Sequence, residues 1–274
     1  RRDKKAVINN VENIYCDDSL PYMHDLPLGL YRREGILLIP YELSKGCRNK
    51  CFFCVTRRKR LHFKKIETVI NHLTSIKDIY KTENFVFVDN GINVDKNFSI
   101  ELCNAIINRN LVIRWSAYFI PEKVGSDYFE LLHKAGCIQL RWGVETLSKT
   151  ALQEMNKSND PQTLSVLLND SSRAGLLNHL IFMVGHPGER LVDLLALIRF
   201  IFNNRRYFCS ASLKIFHIEP VDFFGENEYL SRDKQILSRI NEKDYFGIKI
   251  KSYKDRLAVV KYYLIKLSLA IAGI

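Results

Sequence analysis

The chain of 274 residues contains no apolar run long enough to cross a bilayer. Its most hydrophobic stretch, residues 257–274, is interrupted by Lys261 and Lys266 and is expected to form an amphipathic helix packed on the body of the protein. No secretory signal opens the sequence. A disulfide framework is missing as well: of seven cysteines, three crowd into residues 47–54, whereas Cys16, Cys103, Cys137 and Cys209 are scattered through apolar or helical surroundings. Free cysteine in such places is a small buried hydrophobe. These absences exclude a membrane span and a disulfide-stapled secreted domain, and they predict a reducing, cytoplasmic setting. The sequence also lacks an RNA-binding aromatic motif and paired zinc fingers. The net charge of +11, with the local cluster Arg57-Arg58-Lys59-Arg60, is therefore not in itself a nucleic-acid module, although it leaves that class of partner open. The first residue is Arg1 and not Met, as expected of a partial chain from which an upstream domain is missing.

The most informative residues are Cys47, Cys51 and Cys54, in the spacing CxxxCxxC. They follow an apolar run, residues 36–41, that suits a buried strand, so the cysteines fall on the loop that leaves it. Such a loop can wrap three soft thiolates around one corner of an iron–sulfur cluster. A cubane has four irons, so three cysteines leave one iron open for chemistry. Two other readings fit the same spacing: a zinc site completed by His62, and a redox CxxC pair formed by Cys51 and Cys54.

Apolar, β-rich runs recur at 36–41, 85–88, 111–117, 138–143, 179–184 and 212–218. Helical patterns separate them at 66–81, 99–108, 127–135, 148–155 with 162–174, and 191–203. Strand and helix in strict alternation mean parallel strands with right-handed crossovers. Six repeats fall short of the eight of a closed barrel. The repeats alone imply an α/β fold on a parallel sheet with a C-terminal α-helical appendage. Its boundaries are a lead-in over 1–34, the repeats over 35–220 and the appendage over 221–274. Ligands of such a fold collect at the carboxyl ends of the strands.

Several strand ends carry polar or glycine-rich residues: Val88-Asp89-Asn90-Gly91, Trp115-Ser116-Ala117-Tyr118-Phe119, Gly143-Val144-Glu145-Thr146 and Gly185-His186-Pro187-Gly188-Glu189. Taken alone, the first is turn chemistry. Glu145 is a carboxylate in an apolar strand that needs a cationic partner, and Arg141 lies on the same side by period two. Glu189 stands where a helix begins.

Together with the cysteine loop, these strand ends resemble the radical SAM superfamily over roughly residues 35–220. The resemblance implies that the repeats over 35–220 form a partial (β/α)6 TIM-type barrel, that Cys47, Cys51 and Cys54 hold a 4Fe-4S cluster whose open iron chelates S-adenosylmethionine, and that Phe53, Asp89, Ser116, Glu145, Gly185 and Pro187 contact the cofactor. Reductive cleavage would give methionine and a 5'-deoxyadenosyl radical for modification of a substrate. Phe119-Ile120 departs from relatives that carry an arginine here. Residues 19–31 resemble the linker of enzymes with an upstream cobalamin-binding domain, many of which tailor peptides and natural products. Cobalamin is accordingly expected as a further cofactor, bound by a domain absent from this chain. The implied partners are a small-molecule or peptide substrate and an electron donor such as flavodoxin or ferredoxin. Two other functions are kept beside this one: a methylthiotransferase acting on tRNA or a ribosomal protein, and a zinc-stabilised nucleic-acid-binding protein. Residues 221–256, aromatic and charged, are expected to form a lid or a packed appendage.

Overall fold

A computed structural model describes residues 20, 28–54, 56, 60–157, 159–216 and 253–274. The elements follow in order as β1 Arg32–Arg33, β2 Ile36–Tyr41, β3 Ser44–Lys45, β4 His62–Phe63, α1 Ile66–Tyr80, β5 Asn84–Phe87, α2 Lys96–Asn108 and β6 Arg114–Phe119. They continue as α3 Ser126–Lys134, β7 Cys137–Glu145, α4 Lys149–Glu154, α5 Pro161–Arg173, β8 Leu177–Val184, α6 Leu191–Asn204, β9 Ser210–Ile215 and α7 Tyr253–Ile271. Most of the lead-in, the Arg57-Arg58-Lys59 part of the basic cluster and nearly all of the 221–256 segment lie outside the described residues.

Six strands pair in parallel in the order β2-β5-β6-β7-β8-β9, and β1 adds antiparallel to the β2 edge. The sheet curls into a partial α/β barrel, as the family resemblance implies. Helix starts follow capping chemistry: Asp95, Ser148 and Asp160 each accept from the backbone N–H three residues on, and Pro161 opens α5, where a missing N–H costs nothing. Gly136 turns the chain from α3 into β7 at φ +90°, and a Cβ there would fall 2.1 Å from the Ile113 carbonyl oxygen.

Only β2 matches the sequence pattern at both ends, and the largest departures are in the third and sixth barrel strands. The third barrel strand is Arg114–Phe119, and the apolar residues 111–113 belong to its connector. Ile113 is buried there, but pairing with β5 begins only at Arg114, opposite Asn84. The sixth is Ser210–Ile215, beginning two residues early. The hairpin β3–β4 is an addition: it pairs Ser44 with Phe63 and Lys45 with His62, so the cysteine loop becomes the connection between two short strands.

Alternation along the strands sorts their side chains. In β7, Leu140, Trp142 and Val144 are buried, while Gln139, Arg141, Gly143 and Glu145 line the cavity inside the barrel. The same division runs through β8, with Leu180, Phe182 and Val184 in the core and His179, Ile181 and Met183 on the cavity. The core between sheet and helices is rich in aromatics, with Trp142 in contact with Phe119 and Phe129. α7 packs on α6 and β9.

One buried amide ties several of these layers. Asn178, 1% exposed in β8, accepts from Trp142 Nε1 at 2.8 Å and Ser171 Oγ at 2.8 Å, and it donates to the Tyr207 carbonyl at 2.7 Å. Replacing Asn178 by Ala strands the indole N–H and other buried groups, each costing about 1–3 kcal/mol. The expected loss is about 3 kcal/mol, read as a lower denaturant midpoint at unchanged slope. A loss below about 0.5 kcal/mol would show that the network does not hold these layers together.

Candidate functional site

The site begins where β2 ends. The chain passes through β3 into the cysteine loop, and the carboxylate of Asp89, just beyond β5, fixes that passage. Asp89 accepts from Leu43 N at 3.0 Å, Ser44 N at 2.5 Å and Ser44 Oγ at 2.6 Å. Its burial raises the carboxyl above the ordinary carboxylate range, opposed by these three hydrogen bonds. Further along the loop, Asn90 Nδ2 donates to the Gly46 carbonyl at 2.7 Å and Phe52 N to the Met155 carbonyl at 3.0 Å. Asn156 Nδ2 reaches the Lys50 carbonyl at 3.2 Å. The loop is therefore anchored to two strand ends and to the turn after α4.

Cys47, Cys51 and Cys54 all open onto one cavity of about 660 Å³ at the carboxyl ends of the parallel strands. Cys51 is buried and the other two are part-exposed. Asn49 N donates to Cys47 Sγ at 3.4 Å, and Cys54 Sγ lies 3.1 Å from Thr56 Oγ1. Burial pushes the Cys51 thiol up to about 11, with the Lys157 charge pulling the other way, and burial likewise raises Cys47. Phe53 lines the same cavity and meets Phe216 edge-on at 6.3 Å.

Glu145 closes β7 at φ +64°, where an irregularity in pairing with β8 inserts one extra residue between Gly143 and Glu145. Its partner is Lys157, not Arg141. Lys157 Nζ lies 2.7 Å from Glu145 Oε1 and 3.0 Å from the Gly143 carbonyl. Both side chains are little exposed, 12% for Lys157 and 11% for Glu145. Arg141 instead lies over the Tyr118 ring, 5.8 Å from its centroid.

The turn after β8 is organised by Glu189. One carboxylate oxygen accepts from Thr146 Oγ1 at 3.1 Å. The other accepts from Gly185 N at 2.8 Å and faces Lys261 Nζ of α7 at 3.2 Å. Lys261 also donates to the Glu189 carbonyl at 2.9 Å. The ends of β7, β8 and the C-terminal helix thus meet at one buried ion pair.

Of the residues expected at the site, the structure gathers Cys47, Cys51, Cys54, Phe53 and Glu145 around the cavity. Four others lie outside its wall. Asp89 has both oxygens engaged by residues 43 and 44. Ser116 is buried in mid-strand, because β6 runs on to Phe119 and puts Tyr118 and Ile120 at its mouth. Gly185 and Pro187 stand in the turn that Glu189 holds, with Gly185 at φ +91°. Sequence reasoning did not single out Lys157, Tyr118, His179 or Lys214, all on the cavity wall. The signal available for most of them was strand parity.

The donor set is three sulfurs from one loop, beside open cavity. That suits an iron–sulfur cluster, in which each thiolate takes a different iron. Zinc requires its donors about 2.0–2.3 Å from a single centre. Among the described residues no three of His, Cys, Asp or Glu are grouped to hold one metal ion, and this applies to the three cysteines with His62.

The family model for the Radical SAM superfamily matches residues 41–201. An uncharacterized methyltransferase of Pyrococcus horikoshii is 25% identical over 199 residues, which make up 72% of this chain and 42% of that protein. A bacteriochlorophyllide d C-12(1)-methyltransferase of Chlorobaculum tepidum is 26% identical over 183 residues, 64% of this chain and 40% of that protein. The chain thus spans about two fifths of the length of these relatives. Among solved structures, the radical S-adenosylmethionine methyltransferase TsrM of Kitasatospora setae, with tryptophan and a SAM analog bound, superposes with a TM-score of 0.61 at 18% identity, over 68% of this chain and 36% of that one. The cobalamin-dependent radical enzyme OxsB, with aqua-cobalamin and S-adenosylmethionine bound, gives 0.54 at 16% identity, over 75% and 30%. These two likenesses concern the fold.

The buried thiol makes a prediction for the metal-free chain. A thiol raised to about 11 keeps its proton in the folded state, while the unfolded thiol ionises from 9.0, so stability falls as pH rises from 9 towards 11. At about 1.4 kcal/mol per unit, Cys51 contributes roughly 2 kcal/mol of that loss. Denaturant midpoints of the wild type and of Cys51→Ala, measured from pH 8 to 11, should diverge accordingly, the variant falling less. Parallel curves would refute the assignment.

Proposed function

The chain belongs to the radical SAM superfamily, and from that premise we propose that it is the catalytic barrel of an enzyme that methylates a small molecule or peptide with cobalamin as a further cofactor. Membership brings a 4Fe-4S cluster and S-adenosylmethionine. The observation that carries the reading is the opening of three loop thiols into one strand-end cavity beside Glu145. Methylation is supported by the names of the curated relatives, and cobalamin by solved relatives of the same fold that bind it. In this reading the corrin is held by a domain outside this chain, and a flavodoxin or ferredoxin supplies electrons.

Cys47, Cys51 and Cys54 are assigned as the cluster ligands. A 4Fe-4S cluster held by these thiolates would supply one electron for reductive cleavage of S-adenosylmethionine. The chain's own residues position and enclose. Asp89 and Asn90 hold the ligand loop against β2 and β5, so the thiols reach the cavity from a fixed backbone. Phe53 covers the loop side and limits water there. Glu145 presents a carboxylate whose orientation Lys157 sets, suited to the ammonium of S-adenosylmethionine. Glu189 and Lys261 keep the Gly185–Gly188 turn in place at the end of β8. No described helix is long and apolar enough to cross a membrane.

Reconstitution with iron and sulfide under anaerobic conditions should give about four irons per chain. With dithionite this protein should form 5'-deoxyadenosine from S-adenosylmethionine, and the Cys47, Cys51 and Cys54 triple alanine variant should do neither. A wild-type chain with an intact, reduced cluster and no 5'-deoxyadenosine would overturn the enzymatic reading of this chain on its own.

Two acids separate positioning from binding. Asp89→Ala should lower iron retention, since it frees the loop. Glu145→Ala should keep its iron and lose about ten- to a hundredfold in S-adenosylmethionine affinity, the equivalent of one charge-assisted hydrogen bond. Calorimetry and iron analysis on the two variants check this, and the opposite pattern would exchange the two roles.

A further inference from the structure

The inner face of the barrel carries cations that the reading above leaves without a task. Along one cross-strand row, Tyr118 stands opposite Arg141, Arg141 opposite His179, and His179 opposite Ser210. Closer to the cavity mouth, Met183 is paired with Lys214. Glu145 is the one carboxylate among the residues described on this cavity wall, and Lys157 neutralises it. Arg141 and Lys214 have no carboxylate partner among the described residues; Arg141 has only the face of Tyr118.

Arg141 is half-buried, and withdrawing a guanidinium from water without an anion is unfavourable. Its surroundings do not relieve it. His179 is held between two hydroxyls, Nδ1 at 2.8 Å from Ser210 Oγ and Nε2 at 2.8 Å from Ser212 Oγ. Burial first, and the Arg141 charge second, keep that imidazole below its ordinary value of 6.5, so it adds hydrogen-bonding capacity and no charge. The result is a planar five-donor group set in a floor of neutral hydroxyls, imidazole and phenol, with a second cation on the same wall. Such a fork matches the paired oxygens of a carboxylate or phosphate.

We propose that Arg141, assisted by Lys214, seats an anionic group of the substrate: a carboxylate, phosphate or phosphonate. The inference rests on the catalytic reading above, which makes this cavity the place where a substrate is held. Its competitor is the carboxylate of S-adenosylmethionine itself, which has the same chemistry and reaches the same cavity.

The test titrates inorganic phosphate and phosphonoacetate into the full chain by calorimetry, in the cluster-free state and in the cluster-loaded state saturated with S-adenosylmethionine. The wild type should bind at least one anion in both states. Arg141→Gln should weaken it about tenfold or more, Lys214→Gln less, and Arg141→Lys should restore only part, since a point charge lacks the fork. Affinity for S-adenosylmethionine should stay within about twofold of wild type in Arg141→Gln, and circular dichroism melting should show that the variant is folded. The proposal is overturned if the wild type binds neither anion, if Arg141→Gln binds them unchanged, or if S-adenosylmethionine displaces them and its own affinity falls in Arg141→Gln. Failure of the loaded chain to bind S-adenosylmethionine at all would count against the catalytic reading, while the cluster-free titration still decides the anion seat.

Discussion

A β-strand turns its side chains alternately to its two faces, and in a curled parallel sheet that alternation decides which residues meet helices and which meet the cavity. Trp142 and Arg141 are neighbours in sequence, yet the indole is fully buried among aromatics while the guanidinium faces the cavity. A shift of one residue would exchange them, burying the charge in the aromatic core. The register is therefore specified by the core, and the site inherits it. The extra residue before Glu145 is the one place where β7 slips against β8, and it sets a carboxylate opposite a core phenylalanine, Phe182, without forcing the acid into the core. The left-handed backbone at Glu145 costs of order 1–3 kcal/mol. The ion pair with Lys157 holds it there.

Three buried acids stand at or just beyond the ends of β5, β7 and β8, and the groups they meet give them different tasks. Asp89 meets only neutral donors and fixes the entry to the thiol loop. Glu145 meets one cation and remains on the cavity wall. Glu189 meets a cation from α7 and two groups just past the ends of β7 and β8, so it acts as a joint. Buried ion pairs contribute little net stability against well-packed apolar substitutes, but losing one partner is costly. Their effect here is to exclude alternative arrangements of the turns that carry the site.

Much of this fold was legible because the six apolar runs and the intervening helical periods are local patterns. Local patterns also explain the errors. The run 111–117 opens with three apolar residues, Leu111 to Ile113, and apolarity alone does not separate the buried connector residue Ile113 from the strand that starts at Arg114; only pairing with β5 does. The thiols, Phe53 and Glu145 were legible because spacing on one loop or one strand carries them. Asp89 and Glu189 were recognisable as acids at strand ends, but their partners lie some 45 and 72 residues away, at Ser44 and Lys261. No short window contains that information. For Glu145 the nearby cation on the same face, Arg141, was the wrong partner, because the turn after α4 brings Lys157 closer to the carboxylate.

The cavity has two ends of unlike chemistry, and they are supported by different parts of the chain. Sulfur and apolar surface from Cys51, Phe53, Ile120 and Met183 gather at the mouth, while Gln139, Arg141, His179 and Ser212 make a polar floor. The thiol loop hangs from β2, β5 and the turn after α4. The floor is built on β7 to β9, and none of its side chains is hydrogen-bonded to the loop among the described residues. Substitution of a floor residue can therefore alter what the cavity accepts without loosening the thiols, whereas a change at Asp89 loosens the thiols without altering the floor. Strand-end geometry thus separates the thiol end of the cavity from its polar floor. Two ends supported by different strands can change independently of one another.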